Sequence, residues 1–577
     1  MRKPSLCSEQ ADVHPVSETD SLDNDPELLE CMVSISQECE NSQSHSPSIS
    51  SSTFPLSSPL TNTSPRKHPR TSPSPSPRKL PWASSLLTPK GPKTFIDLTE
   101  SSPEKSPVTA PVAQPIATSS STHTSSTAML YEKPIFRKNY LPGYPTTNCV
   151  RLEDLIVKEG LQRAVLTSFV VEMDWLLDKL PENIPICLVK HWNANQNEQP
   201  GSCRYNDKIL MVHPPFASHG YGCFHAKLSL LYYPTFIRVI ISSANYISYD
   251  WEVLENMVFC QDFPMKPTTD LSSPSSPPPL PTPSNLRNQT QPAVSPPRTQ
   301  FGATLEKFLE HCHVPLQVRA TLKQYDFSSA TVHIVMSVPG YHSPKVWRNF
   351  GQASLANIIH QYVNSTGTRD PPFVEYVMSS IGRIFGSWLD KFYQATCGIE
   401  YNRTYKRKPK NALIKERFGI GFPSLQTVKD SANGISNGSS FFLTDSTFKH
   451  LGALSQCFRD TIALRPGCLL HTKLLIARHA ANPDAVADTP PSWYYFGSHN
   501  LSPAAWGTYA QSKFARPGGS HDILRISNYE LGIVNKIQSN PASDEKWELD
   551  SGFVPPFLSP APTYAASDEP WIASNYL

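Results

Sequence analysis

An α/β fold is predicted by two features of the sequence. Apolar strand-like runs alternate with helically spaced segments, and they do so on both sides of a proline-rich break. A third feature, a motif that occurs once in each half, points to duplication. Proline makes up 57 of the 577 residues, about twice the usual share of roughly 5%. Helix interiors and central strands exclude proline, so the excess marks stretches outside the folded elements.

Residues 1–128 read as a disordered tail. Within 41–90, 15 Ser, 10 Pro and 5 Thr leave too few apolar side chains to offset chain entropy. The basic pieces Arg66-Lys67-His68-Pro69-Arg70 and Arg78-Lys79 suit either part of a nuclear address or a solvated tail. One island, Phe95-Ile96-Asp97-Leu98-Thr99-Glu100, is a short β-prone run followed by serines and acids. It suits either a strand added to the edge of a partner sheet or a chance apolar cluster. Ordered sequence begins near Tyr131. From Leu152 to Leu177 apolar residues recur at helical spacing, Ile184 to Val189 reads as a buried strand, and apolar runs return from Phe224. Residues 264–299, with 11 prolines in 36 positions, form a long flexible insertion. A helical pattern at Leu305 to Leu309 follows, and polar loops are expected at 431–439 and 481–491.

Composition narrows the function classes. A net charge of +2 neither announces nor excludes nucleic-acid binding, which depends on local patches. No run approaches the roughly 20 apolar residues of a spanning helix, so no membrane partner is expected. Met1-Arg2-Lys3-Pro4-Ser5 leads into polar sequence without an apolar core, unlike a secretory signal. The 12 cysteines contain no C-x-x-C pair, which argues against a zinc finger and for a reducing, intracellular setting. His311-Cys312-His313 closes a helical pattern with no partner pair at finger spacing and reads as structural. No H-E-x-x-H or P-loop occurs, no carboxylate cluster flanks the motifs below, and neither a metal nor another cofactor is expected.

The chemistry lies in the repeat. His225-Ala226-Lys227-Leu228-Ser229-Leu230-Leu231 matches His471-Thr472-Lys473-Leu474-Leu475-Ile476-Ala477, and the chain has no other H-x-K. Behind each comes S-x-N-x5-W: Ser243, Asn245 and Trp251 in the first copy, Ser498, Asn500 and Trp506 in the second. In a strand, residues i and i+2 share a face, so each His projects beside its Lys while alternate residues face the core. An imidazole and an ammonium do not satisfy each other, but an anion between them satisfies both. Asparagine amides add neutral donors. Two copies facing each other make one pocket of two His, two Lys and two Asn. That set suits a phosphodiester, with donors to the non-bridging oxygens and an imidazole on either side.

The duplicated motif resembles the phospholipase D superfamily. That superfamily usually carries an aspartate a few residues beyond the lysine, whereas Leu231, Leu475 and their neighbours are apolar. The variant without the aspartate resembles the tyrosyl-DNA phosphodiesterase family acting on 3′ ends. Leu152-Glu153-Asp154-Leu155, Val170 to Leu176, Asn500 to Gly507 and Tyr529-Glu530-Leu531-Gly532 are similar to that family as well. The resemblance spans about 130–577 apart from the insertion.

That resemblance implies a fold, an activity and a set of site residues. The fold would be two similar α-β-β-α-β sandwich domains with mixed sheets, 129–300 and 301–577, around one site. The activity would be removal of a tyrosyl peptide, left by a stalled type IB topoisomerase, from a DNA 3′-phosphate. The DNA end would be single-stranded, nicked or blunt, and the location nuclear. His225 corresponds to the nucleophile and His471 to the general acid, later the base. Lys227, Lys473, Asn245 and Asn500 correspond to phosphate holders, and Glu530 to a glutamate that orients a histidine. Ser379, Ser380, Ile381 and Gly382 resemble a DNA-contacting stretch, Arg383 follows it, and Ser502 corresponds to a further DNA contact. The Phe95–Glu100 island resembles a SUMO-interacting motif. Asn256 stands where the family often has glutamine, Arg383 where a small residue is usual, and Ala573 where an aromatic would line the peptide side. Rival readings are another nuclease or phosphodiesterase of the superfamily, a phospholipase, and a non-catalytic DNA-repair scaffold. Both half-sites lie on one chain, which predicts a monomer.

Overall fold

The computed structural model describes residues 128–192, 198–216, 222–267, 300–363, 371–402, 411–511, 522–537 and 553–576. The tail up to residue 127, with the basic pieces and the Phe95–Glu100 island, lies outside them, as does the insertion from 268 to 299.

Two large sheets carry the fold. The first runs in the order Cys149–Val150, Ile135–Asn139, Met257–Pro264, Phe236–Ser242, Leu228–Tyr232, Arg163–Ser168, Ile186–Lys190, Ile209–His213, Gly201–Arg204. The second runs His333–Ser337, Glu530–Lys536, Trp493–Gly497, Lys473–Arg478, Phe373–Val377, Phe418–Gly421, Phe458–Arg459. The second sheet repeats the first strand for strand from Ile135–Asn139 to Ile209–His213. In both, three antiparallel pairings lead to the motif strand, a fourth antiparallel pairing follows it, and two parallel ones complete the series. The duplication read from two short motifs therefore extends to the topology.

Alternation along the strands sorts side chains into layers. Val165, Leu228, Leu230, Val239 and Ile241 from the first sheet join Leu474, Ile476, Tyr494 and Phe496 from the second in one shared core. The intervening residues face outward. Leu166, Leu188, Leu231 and Ile240 pack with the helices Leu152–Leu155 and Met173–Asp178. Leu475, Ala477 and Tyr495 pack with the helices Gly351–Ile358, Gly386–Thr396 and Asn411–Arg417. The layers are thus helix, sheet, sheet, helix, with the helix Phe301–His311 also entering the shared core.

Charge inside this frame is paired. Arg238 sits opposite Asp262 on adjacent strands, and its Nε and Nη2 donate to the two carboxylate oxygens at 2.7 and 2.8 Å. Asp262 also accepts from the backbone N–H of Leu130 and Tyr131, tying this segment to the first sheet.

At three places the structure differs from the expectation. The insertion expected at 264–299 starts later, since Pro264 ends the strand Met257–Pro264 paired with Phe236, and Met265 bridges to Tyr325. Arg163–Ser168, inside the segment expected to be helical, is a strand. Its run R-A-V-L-T-S is buried on both faces between neighbours, and a short apolar run of that kind carries no period that separates helix from strand. The expected polar loops contain short 3-10 turns, Gly434–Ser440 and Pro483–Ala485.

Candidate active site

Each H-x-K motif sits at the start of its sheet strand and is stitched to the other half. The His225 N–H donates to the Tyr529 carbonyl at 2.9 Å, and the Tyr529 N–H returns to the Cys223 carbonyl at 2.9 Å. In the second copy the His471 N–H donates to the Glu255 carbonyl at 3.0 Å, and the Glu255 N–H returns to the Leu469 carbonyl at 2.9 Å. The residue after each crossing strand residue is the one that meets the imidazole: Glu530 after Tyr529, Asn256 after Glu255.

These bonds set the tautomers. His225 Nδ1 lies 2.9 Å from both the Ser498 carbonyl and Glu530 Oε2. A carbonyl only accepts, so Nδ1 carries the proton and Nε2 keeps its lone pair. His471 Nδ1 lies 3.2 Å from Asn256 Oδ1. The orientation of that amide follows from its other bonds, since Nδ2 donates to the Asp250 carbonyl at 2.7 Å and Oδ1 accepts from Ser243 Oγ at 2.8 Å. His471 Nδ1 therefore also donates.

The serine of each S-x-N explains itself here. Ser243 Oγ fixes Asn256, and Ser498 Oγ donates to Glu530 Oε2. Each serine thus holds the acceptor that aims the histidine of the opposite copy. The tryptophans brace the same turns. Trp251 Nε1 donates to the Asn245 carbonyl at 2.9 Å; Trp506 Nε1 donates to Tyr376, whose hydroxyl donates to the His499 carbonyl.

His225, His471, Asn245 and Asn500 all line one cleft of about 600 Å³, together with Ser379 and Ser380. Lys227 and Lys473 are buried and do not themselves line it; each ammonium donates one bond to the carbonyl of its own histidine, at 2.7 and 2.6 Å. Asn500 Oδ1 accepts from the Ser380 N–H at 3.1 Å, which turns its amide nitrogen away from that bond. The Ser502 hydroxyl accepts from the Ala505 N–H and caps the short helix Pro503–Trp506. Gly382 fits against Ser502 because a Cβ there would lie 2.7 Å from the serine Cβ. Ile381 is fully buried beside Leu501, so it positions this stretch and faces away from solvent. Arg383 is exposed and lies outside the cleft lining. At the C-terminal end Trp571 is buried with its Nε1 donating to the Gly438 carbonyl, and Ala573 is buried too, so neither adds an aromatic face to the cleft.

Several lining residues were not singled out from sequence as site residues, Val170 having entered only within a stretch of family resemblance. Phe169, Val170, Ile247, Tyr249, Ser440 and Phe442 form the walls, with the Phe169 ring edge-on to His225 at 5.8 Å. Asp250 is the other. Its Oδ2 accepts from both the backbone N–H and Nδ2 of Asn245, at 2.7 and 2.9 Å, and lies 3.7 Å from His471 Nδ1. An S-x-N-x4-D-W reading of the first copy would have found it; the second copy has Ala505 at that place.

Electrostatics follow from burial and crowding of like charge. Burial and the two lysines hold both His225 and His471 well below the usual imidazole range. Burial, opposed by Glu530 and Asp250, brings Lys227 down to about 8, and burial with Lys227 alongside lowers Lys473 further. Burial raises Glu530 and Asp250. Among the described residues no group of three or more His, Cys, Asp or Glu is arranged to hold a metal ion, and no helix is long and apolar enough to cross a membrane.

Two duplicated α/β halves sharing one histidine–lysine–asparagine cleft define a phospholipase D-like protein. The family profile described as tyrosyl-DNA phosphodiesterase matches residues 136–565, and the chain belongs to that family. A protein from Arabidopsis thaliana named tyrosyl-DNA phosphodiesterase 1 is 27% identical over 399 residues, covering 68% of this chain and 60% of the relative, so the match spans less than two thirds of that protein. A probable tyrosyl-DNA phosphodiesterase from Caenorhabditis elegans is 25% identical, covering 71% of this chain and 81% of the relative. The crystal structure of the yeast tyrosyl-DNA phosphodiesterase superposes with a TM-score of 0.54 at 18% identity, covering 76% of this chain and 99% of that one.

Proposed function

We propose that the chain is a DNA-repair phosphodiesterase that hydrolyses the 3′-phosphotyrosyl bond between DNA and a topoisomerase-derived peptide. The observation that carries this reading is the pair of imidazoles lining one cleft, each with Nδ1–H tied back to a fixed acceptor and each with a buried lysine bonded to its carbonyl.

The steps use those atoms. The His225 Nε2 lone pair attacks phosphorus, the bond to the tyrosyl oxygen breaks, and a phosphohistidine forms. His471, protonated at Nε2, gives that proton to the departing phenolate, whose conjugate acid has a pKa near 10. The imidazole bonded to phosphorus becomes cationic, and the Glu530 carboxylate at its Nδ1–H offsets that charge. In the second step neutral His471 takes a proton from water, the oxygen bonds to phosphorus, and the bond to His225 breaks. A 3′-phosphate leaves and His471 is again protonated.

Lys227, Lys473, Asn245 and Asn500 hold the non-bridging oxygens, supplying the charge a metal supplies elsewhere. Ser379, Ser380 and Ser502 take the DNA strand. The protonation of His471 is linked to the substrate: the incoming phosphate offsets the lysines that keep the empty cleft's imidazoles neutral. The same reading places the protein in the nucleus as a monomer, with the Phe95–Glu100 island as a candidate SUMO-binding strand.

The test is turnover of an oligonucleotide carrying a 3′-phosphotyrosyl group, beside a phospholipid and an unmodified duplex, with and without chelator. Cleavage of the first alone, at an unchanged rate in chelator, is expected. Turnover of the phospholipid in its place, or a requirement for added metal, refutes the reading.

A further inference from the structure

The mechanism above leaves one buried ionisable group of the cleft unused. Asp250 is 2% exposed and lines the same cleft as both histidines. A carboxylate is an odd occupant of a site built for an anion. It has no counterpart in the other half, where Ala505 stands at the matching place before the tryptophan. Its contacts put it next to two residues that the phosphodiesterase reading sets against the phosphate: Oδ2 accepts from the Asn245 amide at 2.9 Å and lies 3.7 Å from His471 Nδ1. Its charge acts on both Lys227 and Lys473.

The charges of the cleft can be summed. Lys227 and Lys473 are offset by Glu530 and Asp250, leaving no net charge while the imidazoles are neutral. Asp250 is raised and Lys473 lowered, and their sum is zero however a proton is divided between them. A phosphodiester brings one negative charge, which one protonated histidine balances. A terminal phosphomonoester brings close to two at neutral pH, since its second pKa is about 6. The extra charge is met only by protonating His225 as well, which burial and the two lysines oppose, and the Asp250 carboxylate adds its own repulsion.

Resting on the phosphodiesterase reading, we propose that Asp250 is a specificity-determining residue that tunes the cleft to a phosphodiester monoanion and against a phosphomonoester dianion. Diester substrates are admitted, and the 3′-phosphate product is expelled by like charge once the phosphohistidine is hydrolysed.

The experiment compares binding of two fluorescent oligonucleotides, one ending in 3′-phosphate and one in 3′-hydroxyl, to the full chain at pH 7.5. Neither is consumed, so the affinity ratio reads the terminal group alone. Asp250→Asn keeps an acceptor for Asn245 and removes the charge; it is expected to raise the ratio in favour of 3′-phosphate about tenfold, as removal of a nearby like charge does. Asp250→Glu keeps the charge and is expected to leave the ratio within about twofold of the parent. Asp250→Ser provides a second neutral variant if the asparagine form does not fold, as judged by thermal melting. An unchanged or lowered ratio in the neutral variants overturns the proposal, as does an equal rise in the glutamate variant. Absence of phosphotyrosyl turnover by the parent would instead defeat the phosphodiesterase reading, and the binding ratio reports on Asp250 independently of it.

Discussion

Glu530 and His225 meet from opposite halves of the chain, with Oε2 of the glutamate 2.9 Å from Nδ1 of the imidazole. Asn256 meets His471 in the mirrored sense, at 3.2 Å. Each copy of the motif therefore supplies a histidine and also the group that orients the histidine of the other copy. Neither half is a complete site, which gives the duplication a chemical reason to stay intact.

Removing the carboxylate from this pair weakens the first step. Glu530→Ala is expected to slow formation of the covalent intermediate roughly 100-fold, in the range of a lost acid–base partner. Glu530→Gln retains an acceptor for Nδ1–H and is expected to lose less. Rapid-quench measurement of a single turnover checks both.

Asn256 acts on the other histidine, which the proposed mechanism uses as acid in the first step and base in the second, and its effect on the second step is read from the life of the intermediate. Asn256→Ala frees the His471 ring from its acceptor, and the intermediate is expected to persist longer, with kcat reduced roughly 10-fold. Gel analysis of denatured reaction mixtures measures the fraction of protein carrying DNA. An unaltered lifetime of the intermediate counts against the assignment.

The pH dependence is set by a lysine as well as by imidazole. Lys227, at about 8 in the folded protein, is cationic below that pH and neutral above it. If Lys227 holds phosphate as proposed, that hold is expected below pH 8 and lost as pH rises through it. The expected profile of kcat/KM falls above about pH 8, and Lys227→Arg, which stays charged, removes that limb. A flat profile from 7 to 10 in the parent contradicts the assignment.

Stability rests partly on the ion pair between Arg238 and Asp262, whose side chains are completely buried. Arg238→Ala leaves an uncompensated carboxylate inside the first sheet and is expected to cost about 3–5 kcal/mol. Urea denaturation of the two proteins measures the difference.

The sequence made the motif strands and the cleft readable for a physical reason. His and Lys two positions apart on a strand must share a face, and a second copy of the same pattern removed the default reading of a satisfied core histidine. The expected meeting of His225 with His471 needed no more than that. Glu530 and Asn256 came from family resemblance, because they meet the histidines 305 and 215 residues away in sequence and no local pattern announces them. Asp250 escaped because it stands in one copy only, with Ala505 at the matching place in the other. Phe169, Ile247 and Phe442 escaped because an apolar residue lining a cleft looks in sequence like one filling a core. The strand Arg163–Ser168 was hidden by its own burial, since a strand covered on both faces loses its alternation.

The central claim is that His225 bonds to phosphorus and His471 then activates the water that releases it. The direct measurement is mass spectrometry of the His471→Ala protein after incubation with a 3′-phosphotyrosyl oligonucleotide. The account predicts a stable DNA adduct on residue 225, absent when His225→Ala is combined with it. An adduct on any other residue, or none while tyrosine is still released, contradicts it.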